Sequence, residues 1–256
     1  MPEPDGSSYV QSLARGLAVI RAFGAETPRQ TLSDVARATG MTRATARRFL
    51  LTLETEGYVR SHDGKFELTP RVLDLGFSYL SSLSLPEIAQ PHLEALSRAV
   101  GESTSTAVLD GRDVVYVARV PTRRIMSVAI TIGTRFPASV TSMGRVLLAS
   151  FDAAALDTYF EGFTAERFTE RTITDPAELR AELDRVAAQG WSLVDGELEL
   201  GLRALAVPVS RGATVVAAIN VSMSASSEDA GAQALRLLPA MQDAAAAISR
   251  DLALVS

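Results

Sequence analysis

The stretch TLSDVARATGMTRATARRFLLTLETEGYVRSHDGKFEL, residues 31–68, decides the fold of the N-terminal part. Thr31 or Ser33 can cap a helix carrying Leu32, Val35 and Ala36, and Gly40 stops it. Thr42 caps a second helix over residues 43–54, with Ala46, Phe49, Leu50 and Leu53 facing inward. Tyr58–Ser61 and Lys65–Leu68 then flank the turn pair Asp63–Gly64, a strong hairpin signal. Counted from Leu32, the fifth residue is Ala36, the ninth Gly40, the fifteenth Ala46 and the eighteenth Phe49. A helix-turn-helix needs a small fifth residue where its helices touch and a glycine at the ninth, where the turn is left-handed. All four positions comply, although an ordinary helical hairpin would satisfy them too.

The outer face of the second helix separates those readings. Arg43, Thr45, Arg47 and Arg48 lie off the inward stripe. Arginine pairs with guanine edges or phosphates, and a helix N-terminus favours a nearby phosphate. Thr42, Arg43, Ala44, Thr45, Arg47 and Arg48 are therefore the candidate DNA-reading residues, with Arg48 the first candidate for a structural role instead. Arg60 and Lys65 on the hairpin are placed to touch backbone phosphates. Upstream, Ser12 can cap a helix with Leu13, Leu17, Ile20 and Phe23 on one face, closed by Gly24. Three helices and a hairpin make a winged helix-turn-helix, assigned to residues 9–69.

Charge distribution agrees, although the 256-residue chain carries a net charge of −5. Between Ser12 and His62 eight arginines face four acids. With 47% apolar and 21% charged residues the chain can bury a proper core, and its length suits two domains. There is no cysteine, which excludes disulfides, thiolate metal sites and a cysteine nucleophile. The polar, acidic opening MPEPDGSS is no secretory signal, and no apolar run is long enough for a membrane span. The expectation is a cytoplasmic protein with no membrane partner.

Pro70 opens a helical pattern over residues 71–82, so residues 70–83 are read as a linker helix. Residues 84–256 mix helices (85–100, 142–150, 153–160, 176–189, 230–252) with strands (104–109, 114–119, 125–132, 191–195, 204–209, 215–222). That pattern predicts an α+β domain with a largely antiparallel sheet.

The chain resembles the IclR family of bacterial transcriptional regulators. The resemblance rests on SLARGLAVIRAF, the helix-turn-helix, the Asp-Gly wing, IGTRFPASVTSMGRVLLA (132–149), GWSLVDGELELGLRALAVPV (190–209) and VVAAINVSMS (215–224). Within the family, the stretches 123–149 and 194–209 are similar to the branch that controls aromatic-acid breakdown through the β-ketoadipate pathway. Effectors of that branch include protocatechuate, p-hydroxybenzoate and β-ketoadipate. The alternative is an IclR-type regulator of another carbon pathway that answers to a different small organic acid.

The resemblance implies a GAF-like effector domain over residues 84–256, and a homodimer or dimer of dimers. It further implies double-stranded operator DNA as partner, and RNA polymerase as well if the protein activates. By position it points to Ser142, Met143, Gly144, Asp195, Glu197, Ala204, Asn220 and Ser222 as effector-binding residues. Ala204 and Asn220 stand where some members have Cys and Ser, and Ala44 stands where many have Ser or Thr.

A carboxylate effector needs donors, for which the amides of Ser142–Gly144 and one of Arg124, Arg135, Arg145 and Arg203 are candidates. Asp195 and Glu197 would repel an anion, so a loop-bracing role competes for both. Met143, Trp191 and Met223 are candidates to pack on an aromatic ring, with core packing the plainer use. No catalytic residue, metal site or cofactor is expected. The two histidines, His62 and His92, belong to no catalytic constellation, and there is no nucleophile elbow, P-loop, dinucleotide fingerprint or HExxH. A purely architectural DNA binder would not need a second domain of mixed fold.

Overall fold

The computed structural model describes residues 9–24, 26–75, 85–122, 130–225 and 229–254. The chain divides into two compact units, residues 1–82 and 83–256.

The first unit contains α1 (Gln11–Arg21), β1 (Gln30–Thr31), α2 (Leu32–Thr39), α3 (Arg43–Thr55), β2 (Val59–His62) and β3 (Lys65–Leu68). Thr31 and Asp34 form a reciprocal capping box at the start of α2. The Thr31 hydroxyl and amide bonds hold the Asp34 carboxyl below its usual range. Gly40 takes the left-handed conformation at φ 66°, letting the Met41 amide return to the Ala36 carbonyl at 3.0 Å. Asp63 and Gly64 both have positive φ, 50° and 72°, as a two-residue hairpin turn of primed type requires. Val19, Phe23, Val35, Leu50 and Val59 form the core.

Two expectations fail at α1. Its N-cap is Val10, which makes no side-chain cap bond, so Ser12 lies inside the helix. Leu13 and Leu17 are 63% and 39% exposed, while Val19 is fully buried. The helix offers two apolar stripes about a third of a turn apart, and the one through Val19 meets the core. The short strand β1, which pairs with β3 at Gln30↔Phe66, had no signal in the sequence. Of the proposed linker helix, residues 72–75 are helical, and 76–83 lie outside the described residues.

Among the described residues the second unit is a six-stranded antiparallel sheet flanked by helices on both faces. It contains α4 (Leu85–Val100), β4 (Ser103–Asp110), β5 (Asp113–Val120), β6 (Arg135–Pro137), α5 (Ser142–Leu148), α6 (Ala153–Phe160) and α7 (Pro176–Gln189). β7 (Ser192–Asp195), β8 (Leu202–Arg211), β9 (Thr214–Ser224) and α8 (Ala230–Leu254) complete it. The strand order is β6-β5-β4-β9-β8-β7. Side chains alternate across each strand, so the sheet serves two cores. Leu205, Val207, Ile219 and Val221 pack under α4 and α8. Ala107, Tyr116, Ala206 and Ala218 pack under α5, α6 and α7.

The strand expected at 125–132 is corrected in part. Residues 125–129 lie outside the described residues, and 130–132 are not extended pairing partners. The strand beside β5 is β6, three residues long, with Phe136 opposite Val114.

Candidate functional site

The outer face of α3 is built by its cap and its anchors. The Thr42 hydroxyl accepts from the Thr45 amide at 3.2 Å and donates to the Thr45 hydroxyl at 2.9 Å, fixing the first turn. Ala46 and Leu50 are buried and pin the helix from below. Arg43, Ala44, Arg47 and Arg48 are left in solvent. Among the described residues none of those three guanidinium groups has an ion pair or hydrogen bond. Arg48 thus lacks the structural role first assigned to it.

Neighbouring basic groups behave differently. Arg37 pairs with Asp34 at 3.1 Å. Arg29 and Arg60 share the Glu67 carboxylate, each at 2.6 Å, and their hydrogen bonds hold that carboxyl below its usual range. Arg60, expected to meet phosphate, is therefore held by Glu67. Lys65 is exposed beside the Asp63–Gly64 turn.

In the second unit, sheet register gathers polar residues on the face toward α5. Asn220 lies opposite Ser105 on β4 and Ala206 on β8, and Ser222 lies opposite Ser103 and Ala204. Ser142, Ala204, Asn220 and Ser222 line one cavity together with Tyr116, Thr141 and Val194. Asn220 is 2% exposed, and its amide nitrogen donates to Ser222 Oγ at 3.1 Å. Asn220 Oδ1 and Ser142 Oγ, both buried, have no hydrogen-bond partner among the described residues. Burial pushes the Tyr116 phenol up to about 12, against the opposing field of Arg119. The cavity measures about 20 Å³, room for one water molecule and not for an aromatic ring.

The remaining sequence-derived candidates go elsewhere. Met143 is fully buried in the core under α5. Gly144 is required by close packing, because a Cβ there would collide with the backbone of Ala138. Its amide is already taken by Thr141 Oγ1 at 3.1 Å, so it is not a free anion donor. Glu197 braces its loop. It accepts from the Arg145 guanidinium at 2.7 and 2.6 Å and from the Ile173 amide at 3.1 Å.

Asp195 follows the cavity residue Val194, so strand alternation turns it to the opposite face. There it meets Arg203 at 3.1 Å and Arg171 at 3.4 Å. Arg203 also bonds Gln233 of α8. Arg135 is held outside by Asp110 at 2.7 Å and Asp113 at 3.2 Å. Arg124 lies outside the described residues. Trp191 and Met223 pack in the core under α4 and α8, away from the cavity.

The reading of the sequence passed over Tyr116, Thr141 and Arg119. Tyr116 and Arg119 differ by an odd number of residues yet share the face toward α5, because the register shifts where β4 and β5 pair.

Comparison with known proteins places these two sites in one family. The model of the IclR helix-turn-helix domain matches residues 12–63, and that of the IclR C-terminal domain of bacterial transcriptional regulators matches residues 77–250. The chain belongs to the IclR family. Members of this family are DNA-binding regulators and not enzymes.

This IclR-family regulator is 44% identical over 222 residues to the Pca regulon regulatory protein of Pseudomonas putida, covering 86% of the chain and 75% of that protein. A candidate transcriptional regulator from Rhodococcus sp. RHA1 superposes with a TM-score of 0.87 at 57% identity, covering 97% of this chain and 100% of that one. An IclR homologue from Microbacterium hydrocarbonoxydans, solved with 4-hydroxybenzoate, superposes with a TM-score of 0.84 at 27% identity, covering 94% and 98%. No helix among the described residues is long and apolar enough to cross a membrane.

Proposed function

We propose that this regulator binds operator DNA through Thr42–Arg48 and the wing at Lys65, and answers to a small aromatic acid whose entry widens the cavity between the sheet and α5. One observation carries the sensing half. Two buried polar atoms, Asn220 Oδ1 and Ser142 Oγ, border the same cavity without partners, and an unpaired buried acceptor is costly unless something completes it. The aromatic class is supported by kinship with the Pca regulon regulator and with the homologue bound to 4-hydroxybenzoate.

The working assembly is a homodimer or a dimer of dimers, with residues 9–69 as the DNA-binding domain, 70–83 as linker and 84–256 as effector domain. Effector shifts the population between two spacings of paired recognition helices, which requires unequal affinity for them. RNA polymerase is a partner if the output is activation.

The test is thermal melting of the full chain with p-hydroxybenzoate, protocatechuate and β-ketoadipate, followed by operator affinity with and without each. At least one aromatic acid is expected to raise Tm and change DNA affinity. No shift in either measurement would end the proposal.

A further inference from the structure

Arg119 is a cation without a counter-ion among the described residues, on the face of the sheet toward α5. It lies directly across from Ser105, which lies directly across from Asn220. The three residues form one row on the side of the sheet toward α5. The Arg119 side chain is half-buried, and Nη1 donates to Ser105 Oγ at 2.9 Å, with Ser105 fully buried. Among the described residues no carboxylate pairs with it. Burial pulls its guanidinium below the usual range, opposed among the described residues by Tyr116, a phenol. On this side of the sheet Arg145 is committed to Glu197 and Arg112 to the carbonyls of Glu161 and Gly162.

A partly desolvated charge with no partner is unfavourable, and an arriving anion reverses the sign of that cost. At the other end of the row, Asn220 Oδ1 is an acceptor in need of a donor. Arg119 and Asn220 stand two strands apart, about 10 Å between backbones. A single ring with polar groups at opposite ends bridges that span once the side chains reach inward and the cavity beside Asn220 widens toward Arg119, which lies outside its present lining.

On the reading that an acid binds here, we infer that Arg119 holds its carboxylate while Asn220 Oδ1 accepts a hydroxyl from the far end. The preferred ligand is then a hydroxylated aromatic acid and not a bare one. Ser105 positions the guanidinium.

The experiment measures calorimetric Kd and the ligand-induced Tm shift on the full chain, using p-hydroxybenzoate, benzoate, p-hydroxybenzamide and β-ketoadipate. Arg119→Met is expected to weaken p-hydroxybenzoate at least about tenfold, the effect of losing one charge-assisted pair. It should also erase the preference for p-hydroxybenzoate over its uncharged amide. The ligand-free Arg119→Met chain should melt no lower than wild type, which a merely structural arginine would not allow. Arg119→Lys, which keeps the charge, should lie between the two and serves if the methionine variant fails to fold.

Unchanged p-hydroxybenzoate affinity in either variant overturns the assignment, as does wild type binding benzoate as tightly as p-hydroxybenzoate. If wild type binds only β-ketoadipate, the aromatic reading falls, and Arg119 is judged by its effect on that acid. If wild type binds none of the probes, both readings fall.

Discussion

Arg145 and Glu197 stand 52 residues apart in sequence and meet in a two-point ion pair, at 2.7 and 2.6 Å, with the arginine 1% exposed. The pair ties α5 to the loop after β7, the two elements that bring Ser142 and Leu198 to the cavity. Removing Glu197 leaves the buried Arg145 with the more distant Glu182, at 3.8 Å. Glu197→Ala should therefore lower unfolding free energy by at most about 3–5 kcal/mol, read by urea denaturation. Replacing both partners with apolar residues of similar volume should recover most of that loss. A single Glu197→Ala that melts like wild type would show that the pair is not holding the loop.

Helix α3 makes the opposite prediction, a large effect on binding with a small one on stability. Arg43→Ala together with Arg47→Ala should leave Tm nearly unchanged, because both side chains are exposed and lack partners among the described residues. Operator affinity should fall, and if the contacts are to phosphate the slope of log K against log salt should shrink by about 1 per arginine. Fluorescence anisotropy at several salt concentrations reads both. Unaltered affinity in a folded double variant would remove α3 from the DNA contact.

Gly40 and Gly144 are needed for different reasons, and alanine distinguishes them. At Gly40 nothing crowds a Cβ, but φ is +66°, so Gly40→Ala should cost about 1–2 kcal/mol from the left-handed backbone alone. At Gly144 the backbone is ordinary helix, and the obstacle is Ala138. Gly144→Ala must force α5 away from the turn at residues 138–140 that precedes it, costing about 1–3 kcal/mol or more by overpacking. It should also abolish effector binding, whereas Gly40→Ala should not. Denaturation plus a ligand melt tests both.

Tyr116 gives a pH signature. Its folded pKa is raised to about 12 from 10 by burial, so the unfolded chain loses its phenolic proton first. Stability from this group is whole below pH 10 and is lost as pH rises toward 12. Tyr116→Phe should flatten that part of the stability curve, and ultraviolet titration of the folded wild type should show one late-ionising tyrosine. An identical alkaline slope in the variant would contradict it.

Local chemistry settled much of this protein before any tertiary contact was known. Thr31, Gly40 and Thr42 mark helix ends by hydrogen bonding and backbone preference over a few residues. Asp63–Gly64 marks a hairpin for the same reason. The winged helix was legible for that reason, as were nearly all elements of the second unit, whereas Ser142, Ala204, Asn220 and Ser222 were named only through the resemblance to the IclR family and meet on one cavity by sheet register. Position in a motif names a residue's neighbourhood, not its partner. Glu197 turned to Arg145, and Asp195 turned away from the cavity by the alternation of a single strand. Arg119 gained its standing only when the register between β4 and β5 shifted and set it beside Ser105. Helix caps are fixed over four residues, whereas the fate of a charge depends on which strand lies opposite, and only the folded sheet decides that.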